Sequence, residues 1–150
     1  MKDFLRNPFP AALLLLLMYA VPLPAEEYSE TRPLKVGVIL PLSGDAANFG
    51  ISTKNGLELA LSELAAESRA RLRFIFEDDG FSPSRTISAF NRLRGAENID
   101  LIFNAGSQTA KALAPLTEQA RMVLLAIASD PAVSAGRKFA FNYWVPPEEE

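Results

Sequence analysis

From Leu34 onward the chain alternates short apolar runs with amphipathic stretches, and this alternation restricts the fold more than any other feature. Leu34 to Leu40 (LKVGVIL) is almost continuously apolar, as in a strand of a parallel sheet covered on both faces. Pro41 ends it, and the polar loop PLSGDAANFG leads to a helix predicted from about Ile51 to Ala66. Leu57, Ala60, Leu61 and Leu64 recur at i, i+3, i+4 and i+7 in that helix, the spacing of one buried stripe.

The unit then repeats. A second strand is expected at Leu72 to Glu77, where stronger alternation places it nearer a sheet edge. Asp78-Asp79-Gly80 turns the chain, and Ser82-Pro83 starts a helix with serine at the N-cap and proline at the first helical position. That helix is predicted to run to about Arg94 with Ile87, Phe90 and Leu93 inward, Gly95 ending it. A third strand at Asp100 to Asn104 precedes a helix from about Gln108 to Ala120, with Ala110, Leu113 and Leu116 on its core face. Pro115 inside that helix costs about 3 kcal/mol unless the helix bends, so a bend is expected. Met122 to Ile127 and Phe139 to Val145 read as fourth and fifth strands around an Ala128 to Arg137 loop.

Strands alternating with helices at this spacing indicate an α/β fold, a doubly wound, Rossmann-like parallel sheet. With strand order 2-1-3-4-5 the switch point lies between the first and third strands, and a ligand binds at the carboxyl ends of the strands there. Three loops then share one edge: Pro41–Gly50, Asn104–Thr109 and Ala128–Pro131.

The N-terminus belongs to a different pattern. Lys2 and Arg6 precede the apolar stretch Ala11 to Val21 (AALLLLLMYAV), which is far shorter than the roughly 20 residues that span a bilayer. Pro22-Leu23-Pro24-Ala25 follows, so residues 1–25 read as a secretory signal cleaved after Ala25, and residues 26–33 as a short polar leader. An uncleaved membrane anchor is the alternative reading. Removing residues 1–25 takes away Lys2, Asp3 and Arg6, a net +1, and leaves −4 from the −3 of the whole chain. Such a charge gives no attraction to nucleic acid or anionic lipid. The chain has no cysteine and no histidine. Disulfides, a lipid-modified N-terminus, a Ser-His-Asp relay and the usual zinc sites are therefore excluded. The first loop lacks the GxGxxG and GxxxxGK spacings that cradle a nucleotide phosphate. No catalytic residue, metal site or cofactor is expected, and an enzyme would need an acid dyad from elsewhere.

What the loops offer is polar and uncharged at its centre. Ser107, Gln108 and Thr109 open the helix after the third strand, where unpaired backbone N–H groups and the helix dipole favour an anion such as a carboxylate. Ser107 also suits a plain N-cap, worth about 1 kcal/mol. After the fourth strand come Ala128, Ser129 and Asp130; Asp130 suits a ligand ammonium or a cap on the loop before Pro131. Phe49, between Asn48 and Gly50, suits a pocket wall or a staple on the following helix. Asp78-Asp79 suggests magnesium chemistry only weakly and reads as a solvated turn, and Arg69, Arg71 and Arg73 are too few for a nucleic-acid patch.

The run LKVGVILPLSGDAANFG resembles the first strand and loop of the type I periplasmic binding fold, in the subgroup of branched-chain amino-acid receptors of ABC importers. FEDDGFSPSRTISAFNRL, the loop at Ser107 and LLAIASDPAV extend the resemblance from Leu34 to Val145. The resemblance implies a small solute, an amino acid or relative, held between two lobes and delivered from the periplasm to an inner-membrane ABC permease. By position Ser107 matches the carboxylate-binding serine, Ala128 and Asp130 the pair after the fourth strand, and Phe49 an aromatic wall. Asp130 stands where a hydroxyl residue is usual and implies a site friendlier to cations. Phe103-Asn104-Ala105-Gly106 replaces the small turn common before the serine. Members run to more than twice this length, so residues 34–150 are expected to hold most of one N-terminal lobe, the other lobe commonly adding an acid and further aromatics. The same fold also serves as a sensor or a scaffold protein of the cell envelope, which is the rival reading.

Overall fold

The structure, a computed structural model, describes residues 32–144. The expected signal at residues 1–25, most of the leader and the segment from residue 145 lie outside the described residues. Five strands alternate with helices: β1 (Leu34–Leu40), α1 (Ala47–Glu63), α2 (Ala66–Ala70), β2 (Leu72–Asp78), α3 (Pro83–Arg92), β3 (Leu101–Ala105), α4 (Ser107–Ala120), β4 (Val123–Ile127) and β5 (Ala140–Asn142). All pairings are parallel and the order is β2-β1-β3-β4-β5. The doubly wound sheet is as the alternation indicates, and its strand order is the 2-1-3-4-5 on which the switch point was placed, with β2 at an edge.

That order decides what covers each face. The chain steps one way from β1 to β2 and the other way thereafter, so right-handed connections place α1 on one face and α3 and α4 on the other. On the α3/α4 face Ile39, Ile102 and Leu124 are fully buried against Phe90, Leu93 and Leu113. This is the main core. On the α1 face Val36, Val38 and Leu40 are buried, but across the sheet the row Val38, Phe103, Leu125, Phe141 passes from 0 % exposed to 40 % at Leu125 and 51 % at Phe141.

Three expectations, one on α1 and two on α3, are corrected by this packing. The stripe on α1 is not buried: Leu57 and Leu61 are half-buried, Ala60 is exposed, Leu64 is 38 % exposed, and Gly50 is the helix's buried residue. The stripe is real, but the described residues supply nothing for most of it to bury against. On α3, Phe90 and Leu93 point inward, whereas Ile87 is exposed and Thr86 and Ala89 take the core face. Beyond Arg92 the helix widens into a π-turn (Leu93–Glu97) that ends at Asn98 in the left-handed conformation, so Gly95 is not its stop. The helix α4 continues through Pro115 to Ala120 without a break. Pro115 lies on the exposed side, where water can satisfy the carbonyl that loses its helical donor.

Among the described residues no helix is long and apolar enough to cross a membrane. The half-covered face forms an apolar groove of about 330 Å³ lined by Val36, Leu57, Phe74, Phe103 and Leu125 among others. The chain is expected to enhance the fluorescence of an anilinonaphthalene dye at neutral pH. Joint Leu125→Glu and Phe141→Ser substitution should remove most of that signal while stability moves by only about 0.5 kcal/mol, because both side chains are already exposed.

Candidate functional site

At the carboxyl edge of the sheet a cleft of about 250 Å³ opens over the switch point between β1 and β3. Its floor is the β3–α4 junction. Gly106 takes φ +124°, a conformation suited to glycine, and its N–H donates to the Ile127 carbonyl at 2.9 Å. Beneath it, buried Asn104 donates from Nδ2 to the Ile39 carbonyl at 2.9 Å, crossing from β3 to β1. The Thr109 hydroxyl donates to Asn104 Oδ1 at 2.9 Å, with the Gly106 carbonyl at 3.0 Å. These buried polar groups satisfy one another, which fixes the start of α4 at the sheet edge.

The structure thus gives Thr109 an internal bracing role. Gln108 is exposed and does not line the cleft. Ser107 does line it, yet as the first helical residue and not as the cap: Gly106 occupies the N-cap and no side chain caps α4. The Ser107 hydroxyl accepts from the Asp130 N–H at 3.3 Å and lies 3.4 Å from the Ser129 hydroxyl. Ser107, Ala128, Ser129 and Phe49 are brought together around one cavity. Phe49 is 43 % exposed on the first turn of α1, so its ring stands at the rim of the cleft.

Asp130 is turned away from this group. Its carboxylate forms an ion pair with Lys111 Nζ at 2.7 Å and accepts from the Ala132 N–H at 2.9 Å. Lys111, then the Ala132 N–H, hold the carboxyl below its ordinary range. The acid that the resemblance takes to make the site friendlier to cations already has a cation in Lys111.

Two aromatic walls escaped the sequence reading. Phe81 follows the acidic turn, and Trp144 follows β5. Phe81 sits in the left-handed region (φ +61°), and its N–H donates to Asp79 Oδ1 at 2.9 Å. Asp79 is fully buried and also receives the Thr86 hydroxyl at 2.8 Å. Asp78 accepts from the N–H groups of Leu42 (2.8 Å) and Gly80 (2.9 Å), the Ser43 hydroxyl (2.6 Å) and Arg85 (2.7 Å). The Asp78-Asp79 pair is therefore not a solvated turn. It ties the first two strand ends together and projects the Phe81 ring against Gly106. An aromatic residue placed between an acidic turn and a Ser-Pro helix start was the signal available for it.

The periplasmic binding protein family model matches residues 33–148. The chain belongs to the periplasmic binding protein family. Members of this family are solute receptors and not enzymes. Solved structures with the same fold include an ABC transporter substrate-binding protein from Sphaerobacter thermophilus, 29 % identical, covering 74 % of this chain and 32 % of its own, with a TM-score of 0.64. The branched-chain amino acid binding protein LivJ from Streptococcus pneumoniae, in complex with isoleucine, is 19 % identical over 74 % of this chain and 33 % of its own, with a TM-score of 0.67. A solute binding protein of an ABC transporter from Rhodopseudomonas palustris, in complex with 3,4-dihydroxybenzoic acid, is 24 % identical over 73 % and 31 %, with a TM-score of 0.64. No curated protein sequence matches the chain. This periplasmic binding protein chain spans about a third of the length of those solved relatives.

Proposed function

We propose that the chain is part of the extracytoplasmic solute-binding component of an ABC importer. It captures an amino acid or related small organic acid in the periplasm and delivers it to an inner-membrane permease. In this reading residues 1–25 are a cleaved signal peptide, 26–33 a leader and 34–150 the N-terminal lobe. The observation that carries it is the meeting of the Ser107 and Ser129 hydroxyls at the uncapped start of α4, above the switch point.

Those hydroxyls can donate to carboxylate oxygens, and the free N–H groups and dipole of α4 favour the same charge. Phe49, Phe81 and Trp144 shield the ligand body from water. Isoleucine in the Streptococcus protein and 3,4-dihydroxybenzoic acid in the Rhodopseudomonas protein share a carboxyl group, which supports a carboxylate as the common feature. Closure of a second lobe by hinge bending would complete the enclosure.

Trp144 is the single tryptophan of the sequence, so its emission reports on the cleft. Titrating the full chain with amino acids and small organic acids is expected to give a saturable change with a Kd on the order of 1 mM for one lobe. Ser107→Ala should weaken it about tenfold, the effect of removing one hydrogen bond to a charged group. No saturable change or heat with any of these compounds would count against the reading. N-terminal sequencing of the exported protein is expected to begin at Glu26.

A further inference from the structure

We infer that the outer edge of β2 is an association surface for a second copy of this chain, the two β2 strands pairing antiparallel about Ile75. The strand pairs with β1 along its whole length, from Leu72 to Asp78, and contains no proline. Among the described residues no strand pairs with its other edge. A regular, unpaired edge of this kind accepts a further strand.

The bonds to β1 decide which backbone groups are left over. The Leu34 N–H donates to the Arg71 carbonyl at 2.7 Å, and the Asp79 N–H to the Leu40 carbonyl at 3.0 Å. Backbone groups alternate between the two edges of a strand, so Arg73, Ile75 and Glu77 also turn theirs to β1. Leu72, Phe74, Phe76 and Asp78 therefore present theirs outward. A twofold axis at Ile75 sets Phe74 opposite Phe76 of the second copy, and Leu72 opposite Asp78. Outward groups then meet outward groups, and each such pair exchanges both its hydrogen bonds. The same axis sets Arg73 opposite Glu77 in the closer positions, where opposite charges attract. Charges on an edge strand commonly repel a second strand, but these two have opposite signs and lie equally far from Ile75. Arg73 is open to the exchange: its side chain is 57 % exposed and its own partner, Glu97, is 4.0 Å away. Glu77 already holds Arg92 at 2.6 Å and would lie between two guanidinium groups. An axis at Phe74 or Phe76 keeps the hydrogen bonds but sets Arg73 or Glu77 against Ile75, which favours the axis at Ile75.

Sedimentation equilibrium of the full chain is expected to show a reversible dimer with a Kd on the order of 100 µM, since a pair of short strands buries less than a standard interface. Arg73→Glu sets like charges opposite each other and should weaken the dimer about tenfold. Combining it with Glu77→Arg restores opposite charges and should return the Kd to within about threefold of the parent. Amide exchange in the parent chain gives a readout that needs no variant. As concentration rises, exchange at Phe74 and Phe76 should slow while Ile75, already bonded to β1, keeps its rate. A chain that stays monomeric, or an exchange pattern that does not separate Phe74 from Ile75, would overturn the inference. So would a double variant as weak as Arg73→Glu. Association that survives Arg73→Glu but is lost on joint Leu125→Glu and Phe141→Ser substitution would assign the contact to the open sheet face instead. Association that survives both would assign it to the apolar stretch Ala11 to Val21, and either result overturns the β2 edge.

Discussion

Gly106→Ala is expected to destabilise the domain by about 3 kcal/mol and to abolish any binding in the cleft. Two costs coincide at this position. The backbone has φ +124°, which L side chains rarely adopt, and a Cβ there would run into the Phe81 ring while lying 3.0 Å from Thr109 Oγ1. The ring cannot retreat freely, because Asp79 holds the Phe81 N–H, and the threonine is committed to Asn104. Relief must therefore come from displacing the β3–α4 junction itself, which carries Ser107. Gly56→Ala is the matched control. Gly56 lies inside α1 with open space around the added methyl, so the substitution is expected to raise stability by up to about 1 kcal/mol. Urea denaturation of both variants, with Trp144 emission as a second probe of the cleft, checks the pair. A Gly106→Ala protein as stable as the parent would mean that the junction yields easily and that the floor of the cleft is not rigid.

How much of this was legible in the sequence depends on what kind of contact made each feature. The β1 run from Leu34 to Leu40 was read to its ends, because burial on both faces leaves a continuous apolar signature. The parallel sheet followed from the alternation, and the meeting of the loops at Phe49, Ser107 and Ala128 followed from taking the strand order as 2-1-3-4-5, which is the order found. Features made by buried polar pairing were not legible. Periodicity favoured Ile87 for the core face of α3, but the turn needed Thr86 there to donate to Asp79, and that rotates Ile87 outward. In the same way Thr109 looked like a ligand hydroxyl, and its partner, Asn104, became visible only once β3 and α4 were placed. Lys111 and Asp130 lie 19 positions apart and meet only because β4 follows α4 back to the same edge. The apolar stripe of α1 was found correctly, but its burial could not be inferred, since a stripe specifies a need for cover and not its supply.

Lowering the pH from about 4 to about 2 is expected to remove stability that Asp78 contributes, and Asp78→Asn should flatten that part of the profile. Burial alone would raise the Asp78 pKa, yet hydrogen bonds from Ser43, Gly80 and Leu42, joined by the charge of Arg85, more than offset it and bring the group from 3.8 to about 2. The folded pKa is thus depressed below the unfolded one. The stabilisation is complete above the unfolded value of 3.8 and is lost as pH falls through the folded value of about 2. Asp100 adds to the same trend, its carboxyl lowered by the hydrogen bonds of Arg32 and the Lys35 N–H despite partial burial. The Asp78 side chain is 31 % exposed and its Arg85 partner 53 %, so solvent screening limits the Asp78 share to roughly 1–2 kcal/mol. The parent and Asp78→Asn proteins would be unfolded in urea at steps between pH 5 and pH 2. Parallel profiles would show that the acidic turn does not bind its partners more tightly as an anion. In that case the hold of the turn on Phe81, and through it on the aromatic wall of the cleft, would rest on Asp79 alone.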